Sequence, residues 1–456
     1  MKEISNVTFW GGVGSVTGAN FIFETGNKKI MIDCGLLQGV ASSEEQNEAS
    51  FPYDPASVDF LFLTHAHIDH IGRVPKLVKE GFKGAIYSTN ETKELSRLML
   101  TDALKIMQYE ERDKGVPPLY NEQDLDRTFN IWQTLRYHDA LSLDGNLKVL
   151  ARNSGHILGS AMYEFASSGD IRTIFTGDLG NSPSILLPDC EFVEDATHLV
   201  IDSVYGDRNH ESLEKSMDRF RKAVVDTVKE DGTVLIPSFA LERTQMILYL
   251  LNELVESGVI SEVPVLVDSP LAIAITEIYE RGNSQYNTNI QNDTASGDKI
   301  FQFPELKKAM RVADSAEISR QDGAKIIIAG SGMSTAGRIL SHEKKYLPDP
   351  KTTIILTGYQ APATPGRAIE NNEKKVVIDG EEVPVNAKVI KIDGFSGHMD
   401  SDHLLEFVAK ASEGPLKKVF VVMGEPRSSQ FLTQRINDYI GVEAICPEIG
   451  KAYELV

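Results

Sequence analysis

The chain contains little cysteine: Cys34, Cys190 and Cys446 are three residues in 456, odd in number and far apart. That excludes a disulfide framework and a cysteine-based zinc finger, and it fits a reduced, cytoplasmic protein. Positive charge is also short, with 46 Lys plus Arg against 66 Asp plus Glu, a formal net charge of −20. A broad basic footprint of the kind that tracks a nucleic-acid backbone is therefore excluded. Basic residues gathered in one cleft, or bound cations, can still hold phosphate locally. Long apolar runs are missing as well. None approaches the roughly 18 residues of a transmembrane helix, and Met1 to Asn6 lacks the apolar core of a signal peptide, so no membrane partner is expected. Hydrophobic residues at 41% and charged residues at 25% describe a globular protein. Its 456 residues exceed the size at which a single core usually stops growing, which predicts two domains.

Histidine is scarce too, ten residues in all, and its placement is informative for that reason. Thr64 to His70 read T-H-A-H-I-D-H directly after the apolar, strand-like Phe60-Leu61-Phe62-Leu63. His65 and His67, two apart on a strand running into a turn, share a face, while Asp69 and His70 fall past the turn. Imidazole nitrogen with carboxylate oxygen suits zinc first, then manganese or iron. Two such ions roughly 3.5–4 Å apart can activate water and stabilise both the attacking and the leaving oxygen of a displacement at phosphorus or carbon. The plain alternative is a histidine-rich surface turn, and four candidate ligands in seven residues leave it little room. Downstream, N-S-G-H-I-L-G-S carries His156, F-T-G-D-L-G-N carries Asp178 after the strand-like Ile171 to Phe175, and G-F-S-G-H-M-D carries His398. Each of these is weak alone, because a lone histidine is more often a packed core or surface residue than a ligand.

This constellation resembles the metallo-β-lactamase superfamily, and within it the β-CASP ribonucleases, the bacterial and archaeal relatives of the pre-mRNA 3′-end processing endonuclease. The matches run nearly end to end. G-S-V-T-G-A-N at Gly14 to Asn20 and D-C-G-L-L-Q-G at Asp33 to Gly39 come first, followed by T-H-A-H-I-D-H and the His156 and Asp178 loops. After these stand I-D-S-V-Y-G-D-R from Ile201, I-P-S-F-A-L-E-R-T-Q from Ile236, G-S-G-M from Gly330, Gly337-Arg338, G-Y-Q from Gly358 and F-S-G-H from Phe395. The resemblance implies an α/β protein: a four-layer αββα sandwich with an inserted β-CASP α/β domain capping its cleft.

By the same resemblance His65, His67 and His156 would hold one zinc, Asp69 and His70 a second, and Asp178 would bridge the two. Asp33 would orient the histidine loop, although an ordinary strand-ending aspartate is nearly as good a reading of D-C-G alone. Asp202 matches the acidic residue of the next motif, and His398 matches the histidine that protonates the leaving group. With Asp69 and Asp178 they make up the expected catalytic set. Ser331 and Gly332 of G-S-G-M, with Arg243 and Arg338, are the expected phosphate contacts, since glycine lets backbone amides approach an anion closely. Most Gly-Ser-Gly turns are merely tight turns, and Arg243 could equally pair with Glu242. One departure stands out. The family's last motif reads V-H-G-E, but Val422 to Glu425 read V-M-G-E, so Met423 replaces a ligand and the second zinc should be weak. His342 and His403 are spare candidates, and exposed surface histidines are the simpler reading of both.

The character shifts to alternating helix and strand near Gly206, and the resemblance then implies residues 1–205 as a first part of the metallo-β-lactamase domain, 206–390 as the β-CASP domain, and 391–456 as a return to the first domain, since His398 should reach its site. Helical spacing covers Arg73 to Gly81 and Thr92 to Gln108, while Gly282 to Gly297, rich in Asn, Ser and Thr, reads as a loop. The expected reaction is metal-dependent hydrolysis of RNA phosphodiesters. Endonucleolytic action is placed ahead of 5′–3′ exonuclease action, because the sequence stops soon after its last motif. A zinc hydrolase of small esters, thioesters or lactones is the alternative, against which the long insert speaks. A non-catalytic RNA-binding subunit comes third. The family resemblance allows a homodimer, and no interface is legible in the residues.

Overall fold

The computed structural model describes residues 5–39, 42–144, 147–167, 171–260, 263–361 and 363–455; residues 1–4, part of the segment read for a leader, lie outside this set. The chain divides into two compact units, Met1–Asn209 with His398–Val456, and His210–Gly397.

The first unit is built on two seven-stranded sheets among the described residues. One runs Ala452–Leu455, Ser5–Phe9, Phe21–Thr25, Lys28–Ile32, Phe60–Phe62, Ala85–Thr89, Trp132–Leu135. The other runs Glu443–Ile445, Lys418–Val422, His198–Asp202, Ile171–Phe175, Ala161–Ser167, Leu147–Asn153, Leu141–Asp144. Each sheet is antiparallel in one half and parallel in the other. Alternation along the strands sets the layers. Phe21, Phe23, Ile30, Ile32 and Phe62 face Tyr163, Phe165, Phe175, Val200 and Phe420 in one core between the sheets. The residues between them point outward. Ile22, Met31, Leu61 and Ile86 pack with Leu77, Leu100, Leu104 and Phe129 of one helical layer. Leu199, Ile201, Val419 and Val421 pack with Leu404, Phe407, Leu432 and Ile436 of the other. This is the four-layer αββα sandwich that the motifs imply.

The second unit carries a six-stranded, all-parallel sheet in the order Leu306–Lys308, Val265–Asp268, Lys325–Ala329, Thr233–Pro237, Thr353–Leu356, Lys388–Lys391. Val265–Asp268, Lys325–Ala329, Thr233–Pro237 and Thr353–Leu356 are buried along their whole length, the mark of a sheet covered on both faces. The segment read as a loop between Gly282 and Gly297 contains the helix Thr288–Ala295, capped by the Asn287 side chain on the amide of Ile290 and anchored by buried Ile290. One apolar anchor and a cap suffice there, where a stripe of apolar residues is too short to read.

Candidate metal centre

Parallel strands place their carboxyl ends along one edge, and most of the candidate ligands sit there. Asp33 follows Lys28–Ile32, the histidine loop follows Phe60–Phe62, Asp178 follows Ile171–Phe175 and Asp202 ends His198–Asp202. His156 comes from the turn between the antiparallel strands Leu147–Asn153 and Ala161–Ser167, where the Ser160 hydroxyl accepts the amide of His156 at 3.1 Å. Two glycines let the loops meet. A Cβ on Gly35 would fall 1.5 Å from the carbonyl oxygen of Asp69, and one on Gly177, whose φ is +57°, 2.6 Å from Cβ of Thr64.

His65, His67, His156 and Asp178 each present one ligand atom, all within 4.8 Å of one another. Nε2 of His65 lies 3.1 Å from Nδ1 of His67, which lies 3.2 Å from Nε2 of His156. Nε2 of His65 and of His156 are each 3.6 Å from Oδ2 of Asp178. Burial, followed by His70 for one ring and His156 for the other, pushes His65 and His67 well below the usual imidazole range, so both rings keep a lone pair for a cation. Three imidazoles and a carboxylate in this spacing fit a zinc ion. Buried His70 Nε2, Asp178 Oδ1 and Asp202 Oδ2 find no hydrogen-bond partner among the described residues, as expected of atoms that await a cation or a substrate.

Behind this group, Asp33 accepts from the Thr64 amide and hydroxyl, both at 2.8 Å, and lies 2.7 Å from Nδ1 of His70. That fixes the outward nitrogen of His70, Nε2, 3.4 Å from Oδ1 of Asp178 and 3.9 Å from Oδ2 of Asp69. Burial opposes a charge on His70, but Asp178 and Asp33 outweigh it and hold the ring well above its usual value. Burial raises Asp69 to about 6 against the pull of His70. Burial would raise Asp178 too, and His70 overrides it, keeping that carboxylate ionised.

Asp178, Asp202 and His398 form a second group within the same 4.8 Å limit. Nδ1 of His398 is 3.7 Å from Oδ2 of Asp178, and its ring centroid is 4.6 Å from that of His156. Asp202 accepts from the Leu179 amide at 3.2 Å, while burial, followed by Asp178, pushes its pKa well up.

Met423 follows the strand Lys418–Val422, at the ligand edge, yet its thioether belongs to the aromatic core between the sheets. A Cβ on Gly12 would fall 2.5 Å from Sδ. Neither spare histidine joins a ligand group among the described residues. His342 is buried, not exposed, and sits 2.7 Å from Asp268; the carboxylate of Asp400 caps the helix Ser401–Ala411 by accepting the amide of His403 and lies 2.8 Å from that ring's Nδ1.

In the second unit the Ser331 hydroxyl lies 3.0 Å from that of Thr335 and accepts the Thr335 amide. Gly332 follows directly, and Arg243 opens the helix Arg243–Glu256. The guanidinium of Arg338 binds Asp268 at 2.6 Å and the carbonyls of Ala309 and Met310, so it is committed within its own unit. Glu242 receives the hydroxyl of Tyr279. Asp268, central to this network, gave no signal in the sequence, where a lone D-S-P reads only as a helix start.

The Metallo-beta-lactamase superfamily domain matches residues 22–204, the Beta-Casp domain residues 244–369, and the Zn-dependent metallo-hydrolase RNA specificity domain residues 382–447. Ribonuclease TTHA0252 of Thermus thermophilus is 35% identical over 400 residues, covering 88% of this chain and 89% of its own. Transcription termination factor FttA of Pyrococcus horikoshii is 30% identical, covering 97% of this chain and 69% of its own length. A crystal structure of a protein of unknown function from Enterococcus faecalis shares the fold, with a TM-score of 0.58 at 14% identity over 99% of this chain and 100% of that one. The ordered motifs, the αββα sandwich with its parallel α/β companion, and identity sustained along the Thermus protein place this chain in the β-CASP branch of the metallo-β-lactamase superfamily.

Proposed function

We propose that this protein is a zinc-dependent ribonuclease that hydrolyses RNA phosphodiesters, endonucleolytically in the first instance, in the cytoplasm. The convergence of His65, His67 and His156 on Asp178 carries this reading, and the ribonuclease named among its relatives supplies the substrate class. Zinc held there supplies Lewis acidity for activating water and for charge developing on the phosphoryl oxygens. A second, weaker zinc is assigned to Asp69, His70 and the shared Asp178. The protein's own groups do the rest. Asp33 orients the ring of His70, and Asp178 orients the imidazoles around it. His398, beside Asp178 and Asp202, delivers a proton to the departing ribose oxygen, which is too basic to leave unaided. Ser331 and Gly332, with Arg243, are assigned to phosphates away from the scissile one. Arg338, tied to Asp268, stiffens the turn that carries them.

The net charge of −20 makes loose, sequence-independent RNA binding weak and confines productive contact to these sites. Purified protein loaded with zinc and given long RNAs labelled at either end should produce internal cuts visible from both labels. Products that shorten only from the 5′ end would assign exonuclease action, and intact RNA with bound protein would leave a binding subunit.

A further inference from the structure

In the second unit three loops leave the carboxyl edge of the parallel sheet side by side: Ser238-Phe239 after Thr233–Pro237, Gly330-Ser331-Gly332 after Lys325–Ala329, and Gly358-Tyr359-Gln360 after Thr353–Leu356. Open parallel sheets bind ligands at this edge. The loops are tied together. The amide of Gln360, itself buried, donates to the carbonyl of Gly332 at 2.9 Å and to that of Gly358 at 3.2 Å. The carbonyl of Phe239 receives the hydroxyl of Thr244 at 2.7 Å and its amide at 3.3 Å.

On this braced floor stands the ring of Phe239, 41% exposed, the one aromatic of this unit exposed to that degree among the described residues. One edge of the ring lies against glycine. A Cβ on Gly332 would meet Cδ2 at 2.8 Å and Cε2 at 2.9 Å, and one on Gly358 would meet Cε2 at 3.5 Å. Any larger residue at position 332 would push the ring out of place. Left in water, an aromatic ring forfeits the transfer free energy that burial supplies, and this one is held in place beside a Gly-Ser-Gly turn at the edge where open parallel sheets take ligands.

We propose that Phe239 is a stacking platform for one nucleobase of the RNA, whose adjoining phosphate is received by the Ser331-Gly332 turn. The proposal rests on the ribonuclease reading and adds a base-contacting residue to it. Every base has a π face, so the contact grips single-stranded RNA without reading its sequence, and it does so without positive charge, which this chain has in short supply.

The test is steady-state cleavage of a short RNA by the zinc-loaded protein and its variants. Phe239→Ala should raise KM about 5- to 100-fold with little change in kcat, and Phe239→Trp should restore it. Phe239→Leu, which still fills the space against Gly332, should behave like Phe239→Ala on RNA while hydrolysing a nitrophenyl phosphodiester, which offers no base, at the wild-type rate. An RNA series with one abasic ribose walked along the strand should raise the wild-type KM at one position and leave that of Phe239→Leu unchanged there. An abasic penalty that is equal in both proteins, or equal losses on RNA and the small diester, would overturn the proposal. Wild-type protein that neither binds nor cuts RNA would instead remove the ribonuclease reading, and the stacking role with it.

Discussion

The carboxylate of Asp33 lies 2.7 Å from Nδ1 of His70, and both side chains are fully buried. The pair forms because Asp33 takes a left-handed backbone conformation, φ +57°, which turns its side chain under the histidine loop instead of along the strand. Asp33→Asn tolerates that conformation but replaces one acceptor oxygen with a donor. It is expected to weaken metal affinity by about 10–100-fold, read by competition with a chromophoric chelator, while the overall fold persists. Unchanged affinity would mean that Asp33 serves the strand end alone.

Arg338 is expected to act on stability before it acts on RNA. Burial works against the charge of Asp268, and His342, Ser315 and Arg338 outweigh it to hold the carboxyl below its usual range. Arg338→Ala leaves that buried charge with fewer partners and should cost toward the lower end of about 3–5 kcal/mol, measured by urea unfolding. A variant as stable as the wild type that loses only RNA binding would return Arg338 to the phosphate contacts.

Glu343 gives the second unit a pH dependence. Fully buried and bonded to the Ser334 hydroxyl at 2.5 Å, its carboxyl is raised by burial from 4.5 to about 7. The folded state therefore holds the proton more tightly than the unfolded chain. The associated stability is complete below about pH 4.5 and is lost as pH rises through about 7. Glu343→Gln should remove this slope and stabilise the protein above pH 7 by about 3 kcal/mol, seen as a gain in melting temperature at pH 8 that vanishes at pH 4.5. An equal effect at both pH values would refute the assignment.

His398 is expected to separate chemistry from metal binding. His398→Ala should slow RNA cleavage by about 10²–10⁴-fold with zinc content unchanged. A nitrophenyl phosphodiester, whose leaving group departs without a proton, should be hydrolysed almost as fast as by the wild type. Loss of zinc with equal losses on both substrates would make His398 a ligand.

The sandwich was legible through the ordered family motifs, and the clustering of His65, His67 and His70 through T-H-A-H-I-D-H held in seven consecutive residues. What depended on distant packing was not. The Asp268–His342–Arg338 network joins residues 70 and 74 apart and leaves no pattern in the sequence. Burial of His342 follows from that network, and so contradicts the reading of a surface histidine. Met423 was visible as a departure from the family motif. Its place in the aromatic core, against Gly12, depends on two segments more than four hundred residues apart.

The central claim is that hydrolysis of RNA depends on a cation held by His65, His67, His156 and Asp178. The most direct measurement strips the protein of metal with a strong chelator, then titrates zinc back while following bound metal and cleavage of an internally labelled RNA in parallel. Wild-type activity should vanish on stripping and return as the tight site fills, whereas His67→Ala, still folded by circular dichroism, should recover neither bound metal at that affinity nor activity. Undiminished cleavage by protein shown to contain no transition metal would contradict the account.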